Sequence, residues 1–311
     1  MTNRVARGPS RGRRLLLAGG GALAVVLAAA IGLLNSSPIR AQALPVSALA
    51  FEAASVKASA SVDRASMRPP TALPGGRFVS KWPLYQVIAY AYNLPSTPSV
   101  RLSGIPDAMV RSIYDIEATG TIPAGLSARA REDRTRIMVR TLLADRFKMA
   151  VHKETKEMPV YALVVARGGP KLQKADIKEK DCPEAAVAPP PPGSPTHDPE
   201  TCHAFYGGMG RGLHARAVNM ADLASYVENW TDRPLLDKTG IQGLFRVETA
   251  PWRELNASPP PLPGAKTEGG SDVADLPTLF EVLEGLGLKM EARKDYADVY
   301  VVDHIEKPSE N

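Results

Sequence analysis

The sequence lacks the motifs that mark well-known catalytic sites. It contains no GxSxG, SxxK or HExxH, and none of its five histidines forms a ligand pair on one element. No two acidic residues are marked by spacing as a glycosidase pair. The glycine-rich stretch Gly207 to Gly212 has neither a preceding strand nor a Walker lysine, so we do not expect it to bind phosphate. These absences favour a protein that is not an enzyme and holds no cofactor or metal.

Long hydrophobic runs are missing after residue 34, and the basic excess is confined to the N-terminus. With 44% hydrophobic and 23% charged residues, the chain is neither wholly disordered nor a polytopic membrane protein. Its net charge is +5, but six of the 38 basic residues are arginines in residues 1–43, where no acid occurs; 32 basic and 33 acidic residues remain, a net charge of −1. Nucleic acid requires a persistent basic surface, so we expect no nucleic-acid partner.

Residues 1–43 have the three parts of a secretory signal peptide. A basic stretch, Arg4 to Arg14, precedes the uncharged segment Leu15 to Leu34, and the small-x-small site Ala41-Gln42-Ala43 follows. About 20 apolar residues also suffice to span a bilayer, so a retained membrane anchor is the alternative. Under either interpretation residues 44–311 lie outside the cytoplasm, in the periplasm or on the extracellular face, and contact the membrane only through an uncleaved leader.

The two cysteines, Cys182 and Cys202, fit an exported protein. They flank a proline-rich stretch, and exported pairs of this kind usually form a disulfide. The competing interpretation is a metal site formed by His197, Cys202 and His203, whose spacing matches no standard zinc pattern.

An internal repeat is the most informative feature of the sequence. Residues Ile137 to Val165 resemble Leu279 to Val302, and each copy combines an amphipathic helical pattern with β-branched, apolar strand patterns. The pattern predicts an α+β protein with two related β-α-β-α-β-β split modules after the N-terminal signal or anchor helix. The predicted organisation is a leader (1–43), a first unit with its leading strand (51–177), a proline-rich, cysteine-flanked insert (178–210), and a second unit (211–308) with a proline-rich loop at 256–271.

Each unit is predicted to end in a charged β-hairpin. The first hairpin turns through Glu154 to Glu157, and the second turns through Asp295 and Ala297. Earlier in each unit, a helix is expected from Leu84 to Tyr92 and from Met220 to Trp230, the latter with Asn219 as its N-cap.

A few polar residues are candidates for a binding surface. Tyr85 and Tyr92 lie seven apart on one helix face, His152 begins the first charged hairpin, and Asp237-Lys238 lies in a predicted turn. For each of them a structural role, in core packing or in a solvated turn, is the competing interpretation.

Several stretches of the sequence resemble one bacterial family. They are Phe51 to Lys57, Leu143 to Lys148, Met158 to Val165, Asp237 to Gly240 and Val302 to Asn311. Together they are similar to an exported, soil-associated family, abundant in Acidobacteria, that is classed as a domain of unknown function. The resemblance implies a single exported domain, or an extracytoplasmic part that works with a membrane metallopeptidase, and it supplies no catalytic residues.

Three functions are therefore open. The first is a non-enzymatic binding module of the cell envelope, whose two units present a groove or a sheet edge to an envelope protein or an extended peptide. The second is a sensor module that works with a separate membrane metallopeptidase. The third is a hydrolase, which a junction pocket with clustered histidine and acidic residues would favour.

Overall fold

The computed structural model describes residues 49–59, 63, 66–182, 202–253 and 275–308. The predicted leader (1–43), most of the insert (178–210) and the loop at 256–271 lie outside these residues. The strands are β1 (Ala53–Ala58), β2 (Arg68–Leu73), β3 (Arg77–Pro83), β4 (Leu102–Ser103), β5 (Ile113–Thr119), β6 (Ala150–Val165), β7 (Gln173–Lys174), β8 (Tyr206–Gly208), β9 (Gly212–Val218), β10 (Leu235–Asp237), β11 (Phe245–Glu248) and β12 (Leu288–His304). The helices are α1 (Leu84–Ala91), α2 (Asp107–Val110), α3 (Ala128–Phe147), α4 (Met220–Val227) and α5 (Leu279–Gly285). Short 3-10 turns lie at Pro74–Gly76, Glu179–Asp181 and Glu228–Trp230.

The predicted α+β class is confirmed, and the strands of the described residues form three four-stranded sheets. The first sheet has the order β1-β5-β3-β2 and the third has the order β7-β11-β9-β8. In both sheets a helix (α1 or α4) follows the strand that lies third in this order. This shared order agrees with the predicted duplication, which itself stays a prediction.

The predicted terminal hairpins are wrong. β6 and β12 are single strands of 16 and 17 residues that pair with each other, antiparallel, from Leu288↔Val165 to His304↔Ala150. A tight hairpin needs residues such as Asn-Gly that accept positive φ, and the stretch from Glu154 to Glu157 contains none. The charged residues in these strands instead lie on a ribbon exposed to water.

This pairing exchanges strands between the two halves of the chain, residues 49–165 and 173–304. Tyr161 and Leu163, at the end of β6, pack in the core of the second half, beside β10. Val302, near the end of β12, packs in the core of the first half, where β4 pairs with the same strand. Neither half therefore has a complete core of its own.

Two stretches rich in proline or glycine form strands. β2 contains Pro69 and Pro70, which are compatible with it because β2 is an outer strand. β8 occupies Tyr206–Gly208, at the start of the glycine-rich stretch. A Cβ on Gly208 would lie 2.6 Å from the Trp230 ring, so this glycine is explained by close packing.

The helices follow their sequence signals closely. α4 follows the predicted N-cap Asn219, whose side chain accepts from the Asp222 backbone N–H, while the Asp222 side chain accepts in return from the Asn219 N–H. α3 is buried through Met138, Val139, Leu142, Leu143 and Phe147. Within the described ranges, no helix is both long and apolar enough to cross a membrane.

Candidate binding groove

A groove of about 870 Å³ lies between the two halves. One wall is β2 with the turn that follows it, and the other is residues 202–205 with α4. Residues of α1 and the first turns of α3 also line the groove. The volume falls within the range of pockets that bind small molecules or short peptide segments, about 300–1,000 Å³.

Aromatic side chains from both halves face this groove. Trp82 and Tyr90 come from the first half, and Phe205 and Tyr226 come from the second. Phe205 stacks on Tyr226 with ring centroids 4.6 Å apart and planes 13° from parallel. Such rings provide apolar area at a low cost in conformational entropy, which suits a binding surface.

A cluster of charged side chains forms one end of the groove. His203 Nδ1 lies 2.6 Å from Asp222 Oδ2, and its Nε2 lies 2.8 Å from Glu179 Oε2. Arg129, at the start of α3, donates from Nη1 to Asp222 Oδ1 at 2.6 Å. Asp222 is buried, and it bonds both to the imidazole of His203 from the second half and to the guanidinium of Arg129 from the first half.

Two local features place this cluster. His203 has φ of +60°, the left-handed region that costs a non-glycine residue roughly 1–2 kcal/mol. Its backbone N–H donates to Ala217 O at 2.8 Å, and Cys202 before it is held covalently by Cys182. The capping box of α4 fixes Asp222 opposite. Strained residues of this kind persist where the surrounding structure determines their conformation, and they concentrate at functional sites.

The pKa values in the cluster favour an ionised histidine–aspartate pair. Burial acts to lower the pKa of His203, but the hydrogen bond and charge of Asp222, with the charge of Glu179, outweigh it and raise the pKa. Burial likewise acts to raise the pKa of Asp222, and the hydrogen bonds from His203 and from the Asn219 backbone outweigh it and lower the pKa. The two carboxylates on either side of His203 thus favour its imidazolium form.

A second buried ion pair joins the halves beside the groove. Arg101 Nη1 donates to Glu228 Oε2 at 3.1 Å, and its Nε donates to Asp298 O at 2.9 Å. The side chain of Glu228 is only 4% exposed, and this burial raises its pKa although Arg101 opposes the shift. Asn229 adds hydrogen bonds from Ser96, whose N and Oγ both donate to its Oδ1 at 2.8 Å.

The predicted disulfide between Cys182 and Cys202 is confirmed. Of the predicted metal alternative, His197 lies outside the described residues. Glu179, Cys182 and His203 nevertheless offer ligand atoms within 4.8 Å of one another. The disulfide occupies the sulfur of Cys182, so a thiolate is not present in this state.

None of the residues predicted as a binding surface lines the groove. Tyr85 is buried, and its hydroxyl donates to Thr97 O and accepts from Ser99 N. The Tyr92 ring packs on Tyr300, with centroids 4.7 Å apart. The binding role predicted for these residues stays a prediction.

The other three predicted residues lie on turns and on the exposed ribbon. His152 is exposed and bonds to Asp303 at 2.8 Å, which, with Glu154, raises its pKa. Asp237 accepts from Thr239 N and Oγ1 in a tight turn, and Lys238 pairs with Asp295 at 3.2 Å.

Sequence reasoning did not identify Arg129 and Asp222 as site residues. Asp222 occupies the third position of a helix that Asn219 caps, where acidic residues are common for structural reasons. Arg129 stands among several arginines and acids of the same helix, a pattern typical of a solvated helix face. The one sequence feature that could have indicated this cluster is His203, which directly follows the disulfide cysteine Cys202.

The chain belongs to the family described as "Protein of unknown function (DUF3738)", which matches residues 85–305. This confirms the expected membership of a domain family of unknown function, while the expected link to soil, Acidobacteria and export stays a prediction. No curated protein and no solved structure matches the chain.

Proposed function

We propose that this chain is an exported, non-enzymatic binding protein of the cell envelope whose groove holds an extended peptide segment of a partner. The observation that carries the proposal is the groove itself, in which an outer strand, aromatic rings and a buried polar acceptor come together. Export is supported by the leader pattern of residues 1–43 and by the disulfide, which persists in oxidising compartments.

The outer strand offers main-chain groups to an extended peptide, namely its carbonyl groups and the N–H groups of Thr71 to Leu73, since Pro69 and Pro70 have no N–H. β2 ends its sheet, and no other strand of the described chain pairs with its outer edge. Residues Pro69 to Gly76 line the groove, so this edge borders the space that the peptide would fill. Peptides commonly extend a sheet in this way, with main-chain hydrogen bonds giving affinity and side-chain pockets giving specificity.

The interior of the groove provides the specificity. Oε1 of Gln86 is buried and finds no hydrogen-bond partner among the described residues, although it lies in the groove lining. An unpaired buried acceptor costs about 1–3 kcal/mol, so a peptide N–H that reaches Gln86 would recover this energy. The rings of Trp82 and Phe205 would contact an apolar side chain of the same segment.

The hydrolase alternative is supported by the presence of His203 and Asp222 in a junction pocket. The chemistry of the cluster favours binding, because a general base needs a free ring nitrogen. Both nitrogens of His203 face carboxylates, and the raised pKa favours the protonated ring, which cannot accept a proton. In the part of the chain that the structure describes, no serine or threonine hydroxyl is hydrogen-bonded to this ring.

Peptide selection followed by affinity measurement tests this proposal. Peptides displayed as linear segments would be selected on the purified, disulfide-bonded protein and then measured by fluorescence anisotropy. Gln86→Ala and Trp82→Ala should each raise Kd by roughly tenfold, equivalent to about 1.4 kcal/mol. The matched control is Tyr296→Ser, which removes a ring that is 65% exposed on the ribbon and should leave Kd unchanged.

Other outcomes point to the other functions. Equal loss of affinity in the groove variants and in Tyr296→Ser would contradict the groove as the binding site. Cleavage of the selected peptides, abolished by His203→Gln, would support the hydrolase. Association with a membrane metallopeptidase through the groove would support the sensor function that the family resemblance implied.

A further inference from the structure

The disulfide, His203 and Glu179 bring together a set of atoms suited to a divalent metal ion. A ring nitrogen of His203, an oxygen of Glu179 and Sγ of Cys182 lie within 4.8 Å of one another, and Sγ of Cys202 is bonded to Cys182. Ligand atoms around a tetrahedral zinc ion lie about 3.5 Å apart, a separation that freed thiol side chains reach by rotation. We propose that reduction of the disulfide converts this cluster into a metal site with two cysteine sulfurs, one imidazole and one carboxylate.

The carboxylate supplies an independent sign of a ligand position. Although Glu179 lies at the protein surface, its Oε1 atom is buried, and the described part of the chain offers this atom no hydrogen-bond partner. Its Oε2 atom already bonds to His203 Nε2. A buried, unpaired carboxylate oxygen is costly, and coordination of a cation satisfies it.

The histidine is oriented as a metal ligand should be. Asp222 holds Nδ1 of His203 at 2.6 Å, and Nε2 faces Glu179 Oε2 at 2.8 Å. Metal-binding histidines almost always place a carboxylate or carbonyl on the second ring nitrogen, which fixes the ring and raises its basicity. The buried Asp222 is the carboxylate on the second ring nitrogen of His203, and the α4 cap holds it in that position.

The electron and proton balance makes the site dependent on redox state. A dithiol reductant transfers two electrons and two protons to the disulfide, giving two thiols, and is itself oxidised to a disulfide. A borderline-soft ion such as Zn²⁺ then binds both sulfur atoms as thiolates and displaces the two thiol protons. It also displaces the proton that His203 shares with Glu179, which frees the ring nitrogen to coordinate. In the oxidised state the sulfur atoms are bonded to each other and are poor ligands.

Cobalt titration of the full exported chain tests the site, because Co²⁺ reports tetrahedral geometry and thiolate ligation by its visible and near-ultraviolet absorption. The reduced protein, kept under anaerobic conditions, should bind one equivalent with a tetrahedral, thiolate-containing spectrum. The oxidised protein should give no such spectrum. Zn²⁺ should displace the cobalt and abolish the absorption.

Variants assign the ligands. Glu179→Gln and His203→Gln retain both cysteines, so their folding can be checked in the oxidised state by circular dichroism before reduction. Each should weaken cobalt binding by more than roughly tenfold. His197→Gln, which alters the histidine of the alternative predicted from sequence, and His214→Gln should bind cobalt as the unchanged protein does.

Three results would overturn the proposal. They are the absence of a stoichiometric tetrahedral spectrum in the reduced protein, binding that is insensitive to both Glu179→Gln and His203→Gln, and binding that His197→Gln abolishes. These measurements do not involve peptide binding, so the proposal stands or falls separately from the function proposed for the groove.

Discussion

Leu163 tests the strand exchange between the two halves. It belongs to β6 of the first half, but its side chain is fully buried in the core of the second half. Leu163→Ala deletes buried methyl groups and leaves a cavity, a change that costs about 2–5 kcal/mol of unfolding free energy. We expect about 3 kcal/mol, which corresponds to a more than hundredfold rise in the unfolding equilibrium constant.

Which half loses stability distinguishes a fold with exchanged strands from two units that fold independently. Because each core contains a strand from the other half, the halves should unfold together. Native-state hydrogen exchange should therefore show the same loss in Leu163→Ala for the amides of Ile116 in β5 and of Val247 in β11. The matched control is Val165→Ala on the same strand, where the side chain is 37% exposed and the expected loss is below about 1 kcal/mol.

One result would refute this reasoning. If Leu163→Ala lowered the protection of Val247 and left Ile116 unchanged, the first half would be stable without the second. The exchanged β6–β12 ribbon would then be a connection between two domains rather than part of both cores.

Three further predictions follow from the ion pairs and the disulfide. Arg101→Met should lower the free energy of unfolding by about 3 kcal/mol because it leaves the buried Glu228 carboxylate without its cationic partner. Glu228→Gln in the same chain should recover part of this loss in urea unfolding, and an additive double variant would contradict the pairing. Because the pKa of His203 is raised in the folded state, its protonation stabilises the fold. This stabilisation is complete below about pH 6.5 and is lost as pH rises through the folded pKa. The dependence of Tm on pH in this range should therefore be absent from His203→Gln, and an unchanged dependence would contradict the assignment. Cys182→Ser with Cys202→Ser should cost about 3 kcal/mol in urea, since the disulfide closes a loop with a sequence separation of 20; no loss would contradict its stabilising role.

The local elements could be predicted from the sequence. The apolar spacing in α3, the Asn219 cap and the alternating pattern of β1 depend on neighbours within a few residues, and the structure has all three. β2 could not be predicted in this way, because Pro69 and Pro70 are typical of loops and only its outer position in the sheet makes them compatible with a strand.

The strand exchange and the charged cluster depend on contacts between distant residues. A period-two pattern is the same whether a strand folds back on itself or pairs with another one, so the pattern of β6 could not identify β12 as its partner. The lack of a glycine or asparagine in the expected turn was the one local signal against a hairpin. His203 and Asp222 meet through the disulfide and the helix cap, and their spacing of 19 residues matches no motif.

Site-specific photocrosslinking in the native envelope tests the binding groove most directly. A photoreactive residue at Ala72, near the end of β2, would lie in the groove lining, and one at Tyr296 would lie on the exposed ribbon as a control. We predict that the Ala72 variant crosslinks to one defined peptide segment of a partner and that Gln86→Ala in the same chain weakens the crosslink. Crosslinking from Tyr296 alone, or equal crosslinking with and without Gln86→Ala, would contradict the groove as the binding site.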